Sequence, residues 1–294
     1  MAELANATEH YGVAFGLRWR SAFPLPVFAP AAAGAFDVRV ERGPWPVEPM
    51  PSDGRKVVIG QNRVRLLASA DCIIDILAAD RIAVSQAEAG PLCAQFFGGA
   101  AALLMALRGM APLHASAVAI GGRAVLVCGA GGAGKSSFAA TLIGQGGQLI
   151  SDDLSVLTFD GDGRACVLPG RTTIRLFPEL AWLLGNEPGP SEISEGGKLR
   201  FQPRHVGGIA PIPIGSLVHL DASDSAIPRA LATNLLVQQV YRRPAMARLP
   251  GTEARFAMID ALATQVPLQR IVGLMERQVD AFVKRAKDLV GSLA

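Results

Sequence analysis

Between residues 11 and 88 the apolar positions come in short runs with turn residues between them: Val13 to Trp19, Phe36 to Val40, Lys56 to Ile59, Val64 to Leu67, Cys72 to Leu77 and Arg81 to Val84. The spacing predicts a small antiparallel β layer. From Leu92 to Arg108 the apolar positions become almost continuous, which predicts a buried helix. Its apolar part, Leu92 to Leu107, is sixteen residues long and contains Gln95, Gly98 and Gly99, short of the roughly 20 residues a membrane span needs. The chain divides accordingly into an N-terminal β-rich domain (1–90), a linking helix (91–111) and a second domain (112–294).

In that second domain, Ala115 to Ile120 and Arg123 to Cys128 flank Gly121 and Gly122, the signal of an antiparallel hairpin. A helix is predicted from Lys135 to about Ile143, stopped by Gly144, Gly146 and Gly147. Strands follow at Gln148 to Ser151, Leu154 to Phe159, Arg164 to Leu168 and Thr172 to Leu176, the middle two joined by the turn Asp160-Gly161-Asp162-Gly163. Residues 185–197, GNEPGPSEISEGG, have loop composition and are expected to be a mobile surface segment placed to close over a substrate. Beyond it, Ile212 to Leu220 reads as a strand and Arg229 to Tyr241 and Thr252 to Gln265 as helices. The last helix, Met275 to Val290, is amphipathic, with Met275, Val279, Phe282, Val283, Ala286 and Leu289 on one face.

Composition removes several classes of function. Half of the 294 residues are hydrophobic and only 18% are charged, so the chain folds. Its net charge of +3 is spread without a basic run, so neither nucleic acid nor a membrane is expected as partner. The four cysteines, Cys72, Cys93, Cys128 and Cys166, form no CxxC pair, which speaks against a disulfide framework or a zinc site. With no basic and apolar leader in MAELANATEHYG, the expected compartment is a reducing cytoplasm.

The chemistry concentrates in Gly129-Ala130-Gly131-Gly132-Ala133-Gly134-Lys135-Ser136, a phosphate-binding loop between a predicted strand and a predicted helix. Glycines let successive backbone amides turn toward a phosphate, and the helix start points its positive dipole end at the same anion. Lys135 is placed for the outer phosphates, Ser136 for Mg²⁺, and Ser137 completes the cradle. Seventeen residues after Lys135 stand Asp152 and Asp153, which the end of the next strand returns to the phosphate edge. One carboxylate holds the metal or its water, Asp152 being named for this beside Ser136, and one accepts the proton of an attacking hydroxyl, a role open to either Asp152 or Asp153. His114 opens the hairpin that feeds the loop and belongs at the outer-phosphate side. Among the cations near these elements, Arg171 and Lys198 are the first candidates to clamp phosphate charge, ahead of Arg175, Arg200 and Arg204. His10, His205 and His219 read as structural.

The string LHASAVAIGGRAVLVCGAGGAGKSSFAATLIGQGGQLISDD resembles the catalytic domain of bacterial HPr kinase/phosphorylase. That family has a histidine before a hairpin, a loop ending in GKS, and a tandem aspartate after a short helix and strand. The likeness covers residues 112–177. It implies a phosphoenolpyruvate-carboxykinase-like α/β domain with a mixed, largely antiparallel sheet, and catalytic or phosphate- and metal-binding roles for His114, Lys135, Ser136, Asp152 and Asp153. It also implies ATP and Mg²⁺ as cofactors and phosphorylation of a hydroxyl. Ser137 stands where the family usually has glutamate, and its later glycine-rich signature has no counterpart here, so HPr itself does not carry over as substrate. YGVAFGLRWRSAFPLP and VLPGRTTIRLFPEL are more similar to the shorter HPr-kinase-like proteins, some of which phosphorylate a serine of a lasso-type precursor peptide. The expected partner is therefore a peptide or small protein. Related kinases form rings or dimers, so a homo-oligomer is compatible with the sequence. Two rival readings stand beside this one: a small-metabolite kinase of the shikimate type, and a non-catalytic nucleotide-sensing or partner-binding protein.

Overall fold

The run from Val13 to Trp19 is not one strand but the middle of a hairpin, His10–Ala14 against Leu17–Ser21. Phe15 and Gly16 turn it with φ of 55° and 73°, as a tight two-residue turn requires. An aromatic residue gives no turn signal, so the alternation reads straight through it. Burial offsets the strain: Phe15 is fully buried, meets Phe28 edge to face, and donates its N–H to the Pro169 carbonyl at 2.6 Å.

In this computed structural model, residues 8–45, 56–185, 189, 192–193, 195–221, 228–272 and 279–293 are described. The N-terminal sheet has eight strands, larger than the sequence suggested. It is also mixed, because Val38–Arg42 runs parallel to both neighbours, Leu17–Ser21 and Arg81–Gln86. Each of those pairs is joined by a long connection, and parallel pairing requires one.

The predicted buried helix is present as Ala101–Leu107, entered through a wide turn at Phe96–Ala100. All of Phe96 to Ala106 is buried. Its aromatic entrance packs on the N-terminal sheet through Trp19 and Phe28, and the same core takes in Val156 and Leu168 of the second sheet with the neighbouring Leu154. Among the described residues no helix is long and apolar enough to cross a membrane.

The fold also brings two of the scattered cysteines together: the Cys72 and Cys93 sulfurs lie 3.9 Å apart, although all four cysteines are free thiols. Their contact pushes the Cys72 thiol up and holds Cys93 down at about 6, with backbone amides around Phe96 and Gln95 assisting. The contact thus favours the Cys93 thiolate, and the thiolate is the nucleophile. Limited alkylation by iodoacetamide at pH 7 is expected to label Cys93 ahead of the other three, with a rate that falls as pH drops below about 6. Equal labelling of all four in a peptide map would contradict this.

The second sheet carries the site. Seven strands follow in the order Gln148–Ser151, Ser116–Ile120, Arg123–Gly129, Ile212–Asp221, Ala165–Leu168, Ser155–Phe159, Ala111–Leu113. The strand that enters the glycine loop pairs antiparallel with Ser116–Ile120, as the Gly121-Gly122 turn predicts, and parallel with Ile212–Asp221 on its other side. A mixed sheet therefore surrounds the loop. The strand Leu268–Val272, pairing parallel with Ile212–Asp221, was not expected; its five residues LQRIV are too few to show a period.

The helix predicted from Arg229 to Tyr241 stops at Gln238, because Val240 bridges to Leu113 and Arg242 takes a φ of 49°. The closing helix spans Val279–Leu293, and the start expected at Met275 lies outside the described residues. Its apolar face buries Phe282, Ala286 and Leu289, with Phe282 edge to face on Phe138 of the helix behind the loop. The mobile segment expected at 185–197 falls largely outside the described residues too; within it, Glu192–Ile193 pairs as a short strand with Leu199 and Arg200.

Candidate functional site

The glycine loop leaves the strand Arg123–Gly129 and enters the helix Lys135–Gly144. Gly129 turns with a φ of 141°, and a Cβ there would stand 2.7 Å from the Leu220 carbonyl oxygen, so no other residue fits. Lys135 curls back over the loop and donates from Nζ to the carbonyls of Gly129 and Ala130, both at 3.0 Å. Burial holds its pKa below the usual lysine value. A counter-charge entering the loop would offset that desolvation. Behind the loop, the Gly129 N–H donates to Gln239 Oε1 at 3.3 Å, while the Gln239 carbonyl accepts from the His114 N–H at 2.6 Å. One glutamine side chain and its backbone thus fix the loop relative to His114.

The tandem acids follow the strand Gln148–Ser151 and do different things. Asp152 is buried and accepts through Oδ1 from Ser116 Oγ at 2.6 Å and from Ser136 Oγ at 2.9 Å. Asp153 keeps about a fifth of its side chain exposed and sits at a φ of 71°, which turns it away from its neighbour. Its Oδ2 accepts from Arg171 at 3.2 Å and from the Tyr241 hydroxyl at 3.5 Å. His114 Nδ1 lies 3.1 Å from the Asp153 carbonyl oxygen and 3.4 Å from Oδ1. Both are acceptors, so Nδ1 is the nitrogen that carries hydrogen here. Arg171 is almost fully buried; burial lowers its pKa and Asp153 pulls the other way. Burial also pushes the Tyr241 phenol up to about 12, with Asp153 adding to the shift.

These groups meet around a cleft of about 190 Å³. His114, Ser116, Asp152 and Asp153 line one part, Gly131, Gly132 and Gly134 to Ser137 the floor, and Arg175, Leu176, Phe177, Leu180 and Lys198 the remaining wall. Of the residues singled out from sequence, Gly129, Ala130 and Ala133 belong to the loop but do not line the cleft. Of the two clamp candidates, Lys198 reaches the cleft, its Nζ 4.9 Å from the Phe177 ring centroid. Arg171 lies behind the wall on Asp153, and Arg175 stands on the wall instead. His205 and His219 lie elsewhere: His205 Nε2 is 3.1 Å from the Ile150 carbonyl oxygen, and His219 is buried beside Asp221.

Sequence reasoning missed Ser116, Tyr241 and Gln239. Ser116 follows His114 by two positions, which in an extended segment places both on one face, so the signal was there. Tyr241 is 88 residues from Asp153, and no local pattern joins them. The linking helix is part of the same cluster: a Cβ on Gly98 would stand 2.5 Å from the Tyr241 hydroxyl and 3.6 Å from Asp153 Oδ2. Gly98→Ala is therefore expected to displace Tyr241 and lower whatever activity the cleft has by about 10-fold, since small misplacements at a reacting centre cost that much or more. A near-normal rate from that variant would show the tyrosine to be a bystander.

The hydroxyl of Ser136 and the carboxylate of Asp152 are hard oxygen donors in contact, the kind of pair that takes Mg²⁺ together with waters and substrate phosphates. Among the described residues no three His, Cys, Asp or Glu side chains cluster as a self-sufficient metal cage.

No protein-family model matches this sequence, and no curated protein matches it. Among solved structures, the HPr(Ser) kinase/phosphatase from Coxiella burnetii is similar over 62% of this chain and 97% of that one, at 12% identity and a TM-score of 0.33.

Proposed function

We propose that this protein is an ATP- and Mg²⁺-dependent phosphotransferase that moves the γ-phosphoryl group to a hydroxyl, in our reading a serine of a peptide or small protein. The observation that carries the proposal is the contact between Ser136, at the start of the loop helix, and Asp152, with Asp153 and His114 on the same cleft. Phosphoryl transfer asks a protein for a cradle, a metal site and a proton acceptor, and these residues supply the three.

The glycine loop and Lys135 hold the phosphates. Ser136 and Asp152 are the residues to hold Mg²⁺, which when bound neutralises charge on the transferring phosphoryl group. The acceptor oxygen forms a bond to the γ-phosphorus as the bond to the β–γ bridging oxygen breaks, and ADP leaves. The acceptor proton passes to Asp153, whose carboxylate is oriented by Arg171, Tyr241 and His114. Asp152 is buried and bonded to Ser136, which suits it to the cation, whereas Asp153 keeps about a fifth of its side chain exposed toward the cleft, where an acceptor hydroxyl can reach it.

The test is incubation with γ-labelled ATP, Mg²⁺ and serine-containing peptides encoded beside the gene, each with its Ser→Ala counterpart. Label on the serine peptides alone is the expected result. Transfer to small hydroxylated metabolites instead would make it a metabolite kinase. Tight ATP binding without transfer to any acceptor would leave a nucleotide sensor.

A further inference from the structure

The cleft wall opposite the acids is graded along its length. Arg175 forms its charged end, in electrostatic range of Arg171 and Tyr241, and Phe177 and Leu180 form its apolar end. Phe177 is 43% exposed, an unusual state for a phenylalanine that lines a polar cleft. The segment bearing it packs along the loop helix: Gly144 at that helix's end touches the backbone of Leu183 and Gly185, so Phe177 and Leu180 face the helix's first turns, where Ser137 lines the floor. Lys198 joins the two regions. Its ammonium lies 4.9 Å from the Phe177 ring centroid, and its charge contributes to the lowered pKa of Lys135 inside the loop.

A nucleoside triphosphate has the same gradient: highly charged at the outer phosphate, then less charged, then flat and apolar-faced at the base. With the acids marking the γ end, the base leaves in the opposite direction. We propose that Phe177, backed by Leu180, is the stacking platform for the purine base of the nucleotide, and that Lys198 spans from that platform to the inner phosphates. The inference rests on nucleotide binding by the loop and adds the residues that distinguish a nucleotide from a bare polyphosphate. Aromatic stacking of a base is sequence-tolerant and leaves the polar edges to other contacts. Phe177 by itself therefore favours any purine over a pyrimidine and does not separate ATP from GTP.

Affinities for Mg²⁺–ATP and for Mg²⁺–tripolyphosphate, measured on the unaltered protein, Phe177→Ala and Phe177→Tyr, test this. Phe177→Ala is expected to weaken ATP by about 10-fold and leave tripolyphosphate unchanged, with Phe177→Tyr close to the unaltered protein. Retained tripolyphosphate binding shows that the variant is folded and its loop intact. If ATP binds Phe177→Ala as tightly as the unaltered protein, the platform is overturned while the loop stands. Unaltered ATP binding with a raised KM for a peptide acceptor overturns it likewise, assigning Phe177 to the acceptor. If neither ligand binds the unaltered protein, nucleotide binding itself fails, a separate and recognisable result.

Discussion

Changing Asp152 and Asp153 together to Asn is expected to abolish phosphoryl transfer while ATP binding stays close to that of the unaltered protein. Asparagine has the shape of aspartate and keeps an oxygen that accepts from Ser116 and Ser136 at position 152, and from Arg171 at position 153, so the cleft keeps its form. What disappears is two negative charges. Binding of a polyanion does not need them, whereas proton transfer from the acceptor does, a contribution of 10²–10⁴-fold in rate by itself. The single variants separate the roles. Asp153→Asn is expected to lower kcat by roughly 10³-fold with the Mg²⁺ requirement unchanged, and Asp152→Asn to raise the Mg²⁺ concentration needed for half-maximal rate. Titration calorimetry for ATP and an ADP-release assay read the two properties separately. Transfer that continues undiminished in the double variant would remove the acids from the chemistry.

Arg171→Ala is expected to have the second largest effect, and a different signature from a phosphate clamp. The guanidinium is buried and its NH1 donates to Asp153 Oδ2. Removing it takes a charged hydrogen bond from the partly exposed Asp153 carboxylate, a loss of about 2 kcal/mol, which for a chain of this size lowers Tm by roughly 4–8 °C. Asp153, already held at a φ of 71°, then loses the partner that aims it. The expected outcome is a fall in kcat of about 10²-fold with the KM for ATP little changed. A clamp on phosphate would give the reverse, a raised KM for ATP with kcat retained. Arg171→Lys keeps the charge without the planar fork and is expected to recover most of the stability and only part of the rate.

Much of this site was legible before any coordinates because its strongest parts are local. The cradle is eight consecutive residues, the hairpin that delivers His114 turns on two glycines, and the tandem acids follow within one helix and one strand. Each is set by backbone conformations that glycine permits or by strand periodicity, and both leave marks in the sequence. The groups that orient Asp153 are not local. Arg171, Tyr241 and Gly98 come from three elements, and they meet because the second sheet and the linking helix share apolar faces, a matter of packing that no short window encodes. The same holds for Cys72 and Cys93, brought together by the N-terminal sheet and the helix entrance. The mixed pairing of the N-terminal sheet escaped prediction for a related reason: whether two strands pair parallel depends on the length and path of the connection between them.

The most direct test is a crystal structure of the complex with Mg²⁺ and a non-hydrolysable ATP analogue. The terminal phosphate is predicted to lie within one bridging water of the Asp153 carboxylate, with the cation on Ser136 and Asp152 and the base at Phe177. A nucleotide bound the other way round, or acids turned away by more than one water, would contradict the account.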